Sequence, residues 1–205
     1  MVKKEEKIWQ IIALEDRIVQ CKKCKSLISC NRKPAKGKGD LEPDILLVFE
    51  MENEFTQDLN KLIELRNLIK ETFKINKIYH TFMVRCQPKA CPLHNDRIWY
   101  GDIKLLDRDY NCVLTGKMCE GTPVSPSNDD ILACLLFLLE EIRILQPPII
   151  VLFGEKVSNF VLKAFGVLED IKIDQKYQTE DFIFFTVNYQ DVFSPDECNI
   201  IKSLI

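Results

Sequence analysis

The sequence predicts an α/β protein: a three-layer α/β/α fold around a central, mostly parallel four-stranded sheet. Short continuous apolar runs of strand length recur at residues 44–50 (DILLVFE), 77–86, 149–153 (IIVLF) and 182–188. Unbroken apolar strands are what a sheet covered on both faces requires. Between these runs lie stretches with helical apolar spacing, and strand and helix alternate, which is the signature of a doubly wound sheet.

The first element is a helix over residues 5–20, with apolar positions Ile8, Ile11, Ile12, Ile18 and Val19 and one slot of the stripe interrupted by Glu15. A basic loop follows, carrying Lys22, Lys23, Lys25, Arg32, Lys33, Lys36 and Lys38 and ending in Gly37 and Gly39, which permit tight or left-handed backbone. After the 44–50 strand, Leu59, Leu62, Ile63, Leu65, Leu68 and Ile69 place a helix over about 57–73. The 77–86 strand comes next, then helices at about 128–145 and 155–165 on either side of the 149–153 strand, and the 182–188 strand closes the series. Residues 87–122 break this rhythm, being polar, turn-rich and cysteine-bearing, and read as an insertion in a single domain spanning 1–205. No internal repeat and no low-complexity tract is present.

Composition bounds the function classes. With 46% hydrophobic and 29% charged residues the chain has an ordinary globular balance, which excludes disordered and collagen-like classes. The N-terminal MVKKEEKIWQIIALEDR mixes charge through its apolar positions, so neither a signal peptide nor a membrane span is expected, and the expected location is cytoplasmic. Nine cysteines in a reducing compartment point to metal ligands or buried thiols before disulfides, and their odd number fits a disulfide framework poorly. The net charge of −3 argues against broad electrostatic binding of nucleic acid but leaves room for a local basic patch.

Four of the cysteines carry the sharpest chemistry. Cys21 and Cys24 form a CxxC at the end of the first helix, Cys86 closes the second strand and Cys134 lies inside a later helix. A CxxC completed by two distant thiolates can hold a cubane 4Fe-4S cluster, since each iron takes one soft ligand and long chain excursions between ligands are tolerated. Four spaced cysteines also fit buried packing residues, and Cys119 stands as an alternative third ligand to Cys86. In the insertion, Cys91, His94, Cys112 and Cys119 offer one imidazole and three thiolates to zinc, at irregular spacing. Cys30 and Cys198 have no evident partner and read as packing residues.

The order of these landmarks resembles the iron-sulfur family 4 uracil-DNA glycosylases. The helix with Cys21, Cys24 and Leu27 stands where that family has CxxCxL, with the Leu one residue late. Arg32 and Gly37-Lys38-Gly39 match its R...GxG loop, and Val48 to Asn53 its VGEAPG strand end. Ile78 to Pro88 matches VYITNVVKCRP, while Asp130, Ile131, Cys134 and Leu138, followed by Pro147 to Gly154, match EIxxCxxxL and PkvIvxLG. The resemblance runs from about residue 11 to 190 and implies the glycosylase fold and a cluster on Cys21, Cys24, Cys86 and Cys134.

The same comparison leaves the catalytic motifs degenerate. The glycine-rich turn reads Phe49-Glu50-Met51-Glu52-Asn53 and retains only Glu50. Phe82 replaces the Asn that reads the uracil edge, Asn188 or a neighbour replaces the His of the HPS motif, and no GxPF segment supplies the base-stacking Phe. The resemblance therefore implies a base pocket built from Phe49, Glu50, Phe82 and Asn188, with Glu50 and Asn188 as catalytic remnants. Losing glycines, amide and imidazole removes backbone approach, readout and leaving-group stabilisation together.

Beside these stand plainer readings. Glu50 at a strand end fits a capping or surface carboxylate, His80 a satisfied strand residue, and Phe182, Phe184, Phe185 and Phe193 core packing. Val192 and Phe193 occupy the region where glycosylases carry a DNA-inserting wedge. The basic loop, through Lys33, Lys36 and Lys38, either contacts DNA phosphates, single-stranded or duplex, or is simply solvated. The expected function is a catalytically impaired glycosylase relative acting as a DNA-binding or scaffold subunit beside a protein partner. The alternatives are an enzyme acting on another modified base, with Phe82 stacking it and Glu50 or Asp191 positioning water, and a divergent but active uracil glycosylase.

Overall fold

The computed structural model describes residues 4–24, 34–87, 89–90, 107, 111–117 and 122–204. Its elements are α1 (Lys4–Gln20), β1 (Lys38–Gly39), β2 (Ile45–Met51), α2 (Glu54–Gln57), α3 (Leu59–Phe73), β3 (Ile78–Val84), β4 (Lys89–Ala90), β5 (Thr122–Pro123), α4 (Asn128–Leu145), β6 (Ile149–Phe153), α5 (Glu155–Ala164), β7 (Gln175–Gln178), β8 (Ile183–Val187) and α6 (Pro195–Ser203). The main sheet runs β1-β3-β2-β6-β8-β7. Its four central strands are parallel, as expected, and pair in register from Ile45↔Ile78 and Ile45↔Ile149 to Phe153↔Val187. The edges are short antiparallel strands that the apolar pattern did not announce: β1 against β3 and β7 against β8. A small separate ladder joins β4 to β5.

Alternation along the central strands sends side chains into two cores, giving the three layers. Leu46, Val48, Met83, Ile150, Leu152 and Phe184 pack toward α1, α4 and α5, where Leu14, Leu138 and Val161 are fully buried. Leu47, Phe49, Phe82, Val151, Phe153 and Phe185 pack toward α3 and α6, against Leu65, Ile69, Cys198 and Ile201. At roughly 1.5–3 kcal/mol per fully buried large apolar side chain, these two cores supply most of the stabilisation.

Local signals fix the helix ends. Ser127 and Asp130 close a reciprocal capping box at the start of α4, and Ser194 and Glu197 do the same for α6, with Pro195 in its first turn. α3 and α4 stop on left-handed residues, Lys74 (φ 55°) and Gln146 (φ 52°). Asn53 and Asp58 cap α2 and α3; α3 is the expected 57–73 helix, starting at Leu59 because the Asp58 carboxylate caps it, and the short α2 ahead of it ends at the extended backbone of Asp58. Most of the expected insertion lies outside the described residues. Among the described residues no helix is long and apolar enough to cross a membrane.

Candidate metal centre and nucleic-acid interface

Three separate stretches bring four thiols to one cleft. α1 ends at Gln20, and the Cys21 N–H still donates to Ile18 (3.2 Å), so the CxxC leaves the helix beside its last turn. Cys86 follows the end of β3, and Cys134 stands on the buried face of α4. Cys21, Cys24, Cys86 and Cys134 line a small cleft walled by Ile18, Val84 and Phe137. Cys24 Sγ donates to the Asp130 carbonyl at 3.9 Å, and Cys134 Sγ accepts from the Arg85 backbone N–H at 3.3 Å.

Burial, first, and then Asp130, Cys134 and Cys86 push the Cys24 thiol up to about 12. Burial also raises Cys134, against the opposing Arg85 N–H and guanidinium. Two thiols held protonated in an apolar cleft bind a cationic centre only by releasing protons. Among the described residues no three His, Cys, Asp or Glu side chains converge on a single metal ion. A cubane spreads its four thiolates over a larger body than one ion does, and a soft, all-sulfur donor set around an apolar cleft suits iron-sulfur chemistry. Cys119 lies outside the described residues, as do Cys91 and His94 of the zinc set. Cys112 is buried, and so is Cys198, which packs in the core beneath α6.

Directly behind the cysteine cleft is a charged cluster that the sequence did not reveal. Glu141 of α4 and Arg85 are 2% and 1% exposed and form an ion pair through Oε2 and Nη2. Glu141 also accepts from the Tyr79 hydroxyl (2.9 Å) and from Thr81 Oγ1 (2.5 Å). Glu141 and Arg85 thus sit in a dry interior where a lone charge costs several kcal/mol. Burial and the Glu141 charge together raise Tyr79 above its ordinary value. Arg85 Nε and Nη1, although buried, have no hydrogen-bond partner among the described residues.

On the other side of β3 a second cleft, of about 500 Å³, opens between the 34–39 loop and α3. Lys36, Lys38, Arg66 and Lys70 supply its positive charge, and His80 and Phe82 come from β3. Lys36 pairs with Glu15 of α1. The Arg66 guanidinium is held by the Ile78 carbonyl (2.8 Å) and lies 3.4 Å from His80 Nδ1. Burial, then Arg66 and Lys38, lower His80 to about 4, so it is neutral at pH 7 and its Nδ1 accepts from Arg66. Lys33 lies outside the described residues. Arg66 and Lys70 were not anticipated; their four-residue spacing on α3 puts both on one face, a signal that resembles any solvated helix surface.

The four expected base-pocket residues have different surroundings. Phe82 lines the basic cleft, while Phe49 lies behind it in the core, 6.2 Å ring to ring, and stacks on Phe153 at 4.8 Å. Glu50, at the end of β2, has Oε1 3.3 Å from Lys156 Nζ in an ion pair that lacks hydrogen-bond geometry, because that amine is directed to the Pro126 carbonyl (2.6 Å). Asn188 is exposed and donates to Glu197 (2.7 Å) at the head of α6. Tyr189 beside it packs on Gly154, which has φ 90° and no space for a Cβ, the Tyr189 ring being 2.5 Å from where one would stand. Phe193 packs edge-on to Phe153 at 5.4 Å, and Val192 is exposed.

No curated protein matches the chain. The sequence model of the uracil DNA glycosylase superfamily matches residues 53–193. That span starts at the Asn53 cap of α2, contains Phe82, Cys86, Cys134 and Asn188 and stops at Phe193, leaving Cys21 and Cys24 ahead of it. Because the match covers more than two thirds of the sequence and takes in all four parallel strands except β2, the chain belongs to the uracil DNA glycosylase superfamily.

Proposed function

We propose that this member of a DNA-acting family binds nucleic acid through the basic cleft, carries a 4Fe-4S cluster on Cys21, Cys24, Cys86 and Cys134, and excises uracil weakly or not at all. The observation that carries the reading is Phe82 on the wall of a cleft rimmed by Lys36, Lys38, Arg66 and Lys70. Cations at the rim suit phosphates, while Phe82, only 3% exposed at the inner wall, brings no donor or acceptor to read a uracil edge. The cluster, when bound, supplies charge and cross-linking, tying α1, the end of β3 and α4 together. Glu50 is a carboxylate, paired in charge with Lys156, and cannot stabilise a departing base anion, and the Asn188 amide is engaged with Glu197.

A scaffold role needs a protein contact as well, and Trp9, 70% exposed on α1 near Ile8 and Ile12, offers an apolar face for one. The cleft's volume supports a second reading, an enzyme that accepts a different modified base against Phe82. Anaerobically prepared protein assayed on single-stranded and mismatched DNA carrying uracil or, in parallel, other modified bases separates the readings. The first expects salt-sensitive binding without base release, and the second expects release of a base other than uracil. Neutralising Lys36, Lys38 and Arg66 together should weaken binding and flatten its salt dependence, because fewer counterions are displaced. Unchanged binding in that triple variant places the nucleic-acid contact elsewhere.

A further inference from the structure

Arg85 stands between the two clefts and touches the structure around both. It lines the cysteine cleft, immediately precedes Cys86, and its backbone N–H donates to Cys134 Sγ at 3.3 Å. Its side chain is 1% exposed and spends Nη2 on Glu141, leaving Nε and Nη1 without partners among the described residues. A buried donor left without an acceptor is costly, so two on one guanidinium call for an acceptor close by. An anionic body rich in sulfur, held by the neighbouring thiolates, is such an acceptor.

The other side of Arg85 faces the basic loop. Its carbonyl accepts the Ala35 N–H at 2.7 Å. Glu141, which holds the guanidinium, also holds the Tyr79 hydroxyl, and Gly37 packs against both Tyr79 and Glu141 so closely that any Cβ there would collide. Ala35 and Gly37 flank Lys36, and Lys38 follows, so the backbone carrying two cations of the cleft is fastened to the network that holds Arg85.

We propose that Arg85 is a positioning residue, fixed by Glu141, which donates Nε and Nη1 to the iron-sulfur group in the cysteine cleft and thereby links loading of that cleft to the placement of the 34–39 loop. The inference rests on the cluster assignment made above and deepens it. With the cysteine site loaded, both orphan donors are satisfied and Arg85 stays fixed, its carbonyl holds Ala35, and Lys36 and Lys38 face the cleft. Emptying the site frees the guanidinium to seek other acceptors and loosens the loop, lowering affinity for nucleic acid without any change in the loop's own charge.

The test uses the full chain purified anaerobically, as wild type, Arg85→Lys and Tyr79→Phe, with iron and sulfide content measured for each. Hydrogen exchange over residues 34–40 and binding of a single-stranded oligonucleotide are then compared in loaded and iron-depleted protein. Depletion should speed exchange at Ala35 and Gly37 several-fold and weaken oligonucleotide binding. Arg85→Lys keeps the charge but not the fork of donors, so at equal iron content it should show a lower cluster reduction potential and faster loop exchange. Tyr79→Phe breaks only the bond to Glu141 and should keep its iron while loosening the loop, which keeps the link testable if Arg85→Lys fails to load. Iron-bearing protein whose loop exchanges equally in loaded and depleted forms overturns the link alone, as do variants with wild-type potential and exchange. Protein that never takes iron overturns the cluster assignment and the link together. A loop that responds to loading in a protein with no affinity for the oligonucleotide supports the link and overturns the nucleic-acid reading.

Discussion

His80 shows how a single side chain reports on its cleft. Its imidazole is buried beside Arg66 and Lys38, and its pKa falls from 6.5 to about 4 on folding. The unfolded chain therefore binds a proton at a higher pH than the folded one. The stability contributed by a neutral His80 is fully present above pH 6.5 and is lost as pH falls toward 4, by an amount on the order of 3 kcal/mol. Unfolding measured across that window should lose less stability in His80→Gln than in wild type; equal slopes would show that His80 does not titrate this way. Glu141 makes a different case, a buried carboxylate paired with Arg85 and hydrogen-bonded by Tyr79 and Thr81. Removing it as Glu141→Ala strands Arg85 without a counter-charge and should cost about 3–5 kcal/mol in denaturant unfolding. The paired replacement Arg85→Met with Glu141→Leu should cost much less, because it removes both charges from the interior together.

At the level of elements, the C-terminal ends of the parallel strands are packed by side chains that the fold requires to be there. Gly154 ends β6 at φ 90° with Tyr189 against it, so Gly154→Ala combines a strained backbone with a ring clash and should lower stability by roughly 1–3 kcal/mol. Pairing it with Tyr189→Ala removes the clash but not the strain, and thermal unfolding should recover only part of the loss. What the sequence made visible follows the same physics. α4 and β6 lie where the apolar pattern put them, because a capping box and an unbroken run of apolar residues mark their limits. β1 and β7 were missed because two or four residues that pair along an edge carry no periodicity. α6 was missed although Ser194, Pro195 and Glu197 spell a helix start, since only Cys198 and Ile201 of it are buried. The cysteine cleft was legible from one CxxC and two distant thiols, whereas Glu141, written as the second of two glutamates in a helix, looks like any surface carboxylate until the fold buries it.

For the molecule as a whole, the cysteine cleft and the glycosylase scaffold make separate demands. Cys134→Ala should strip iron and lower stability, since a centre tying α1, β3 and α4 contributes folding free energy as well as colour. A variant with full iron and sulfide content would end that assignment, and full content in Cys86→Ala alone would point to Cys119. Excision depends on a unit instead. Flipping the target, reading its edge and stabilising both the base anion and the sugar cation must coincide, and losses within such a unit do not add. Phe82→Asn supplies an amide beside the basic cleft but leaves Glu50 beside Lys156 and no imidazole where Asn188 meets Glu197. Asn188→His supplies an imidazole but leaves Phe82, which has no donor or acceptor, at the basic cleft. Neither variant should release uracil from single-stranded or mismatched DNA above background, and the unmodified protein should not either. Robust release by the unmodified protein would show that Lys156, Tyr189 or other side chains at the ends of β2, β6 and β8 have taken over the chemistry.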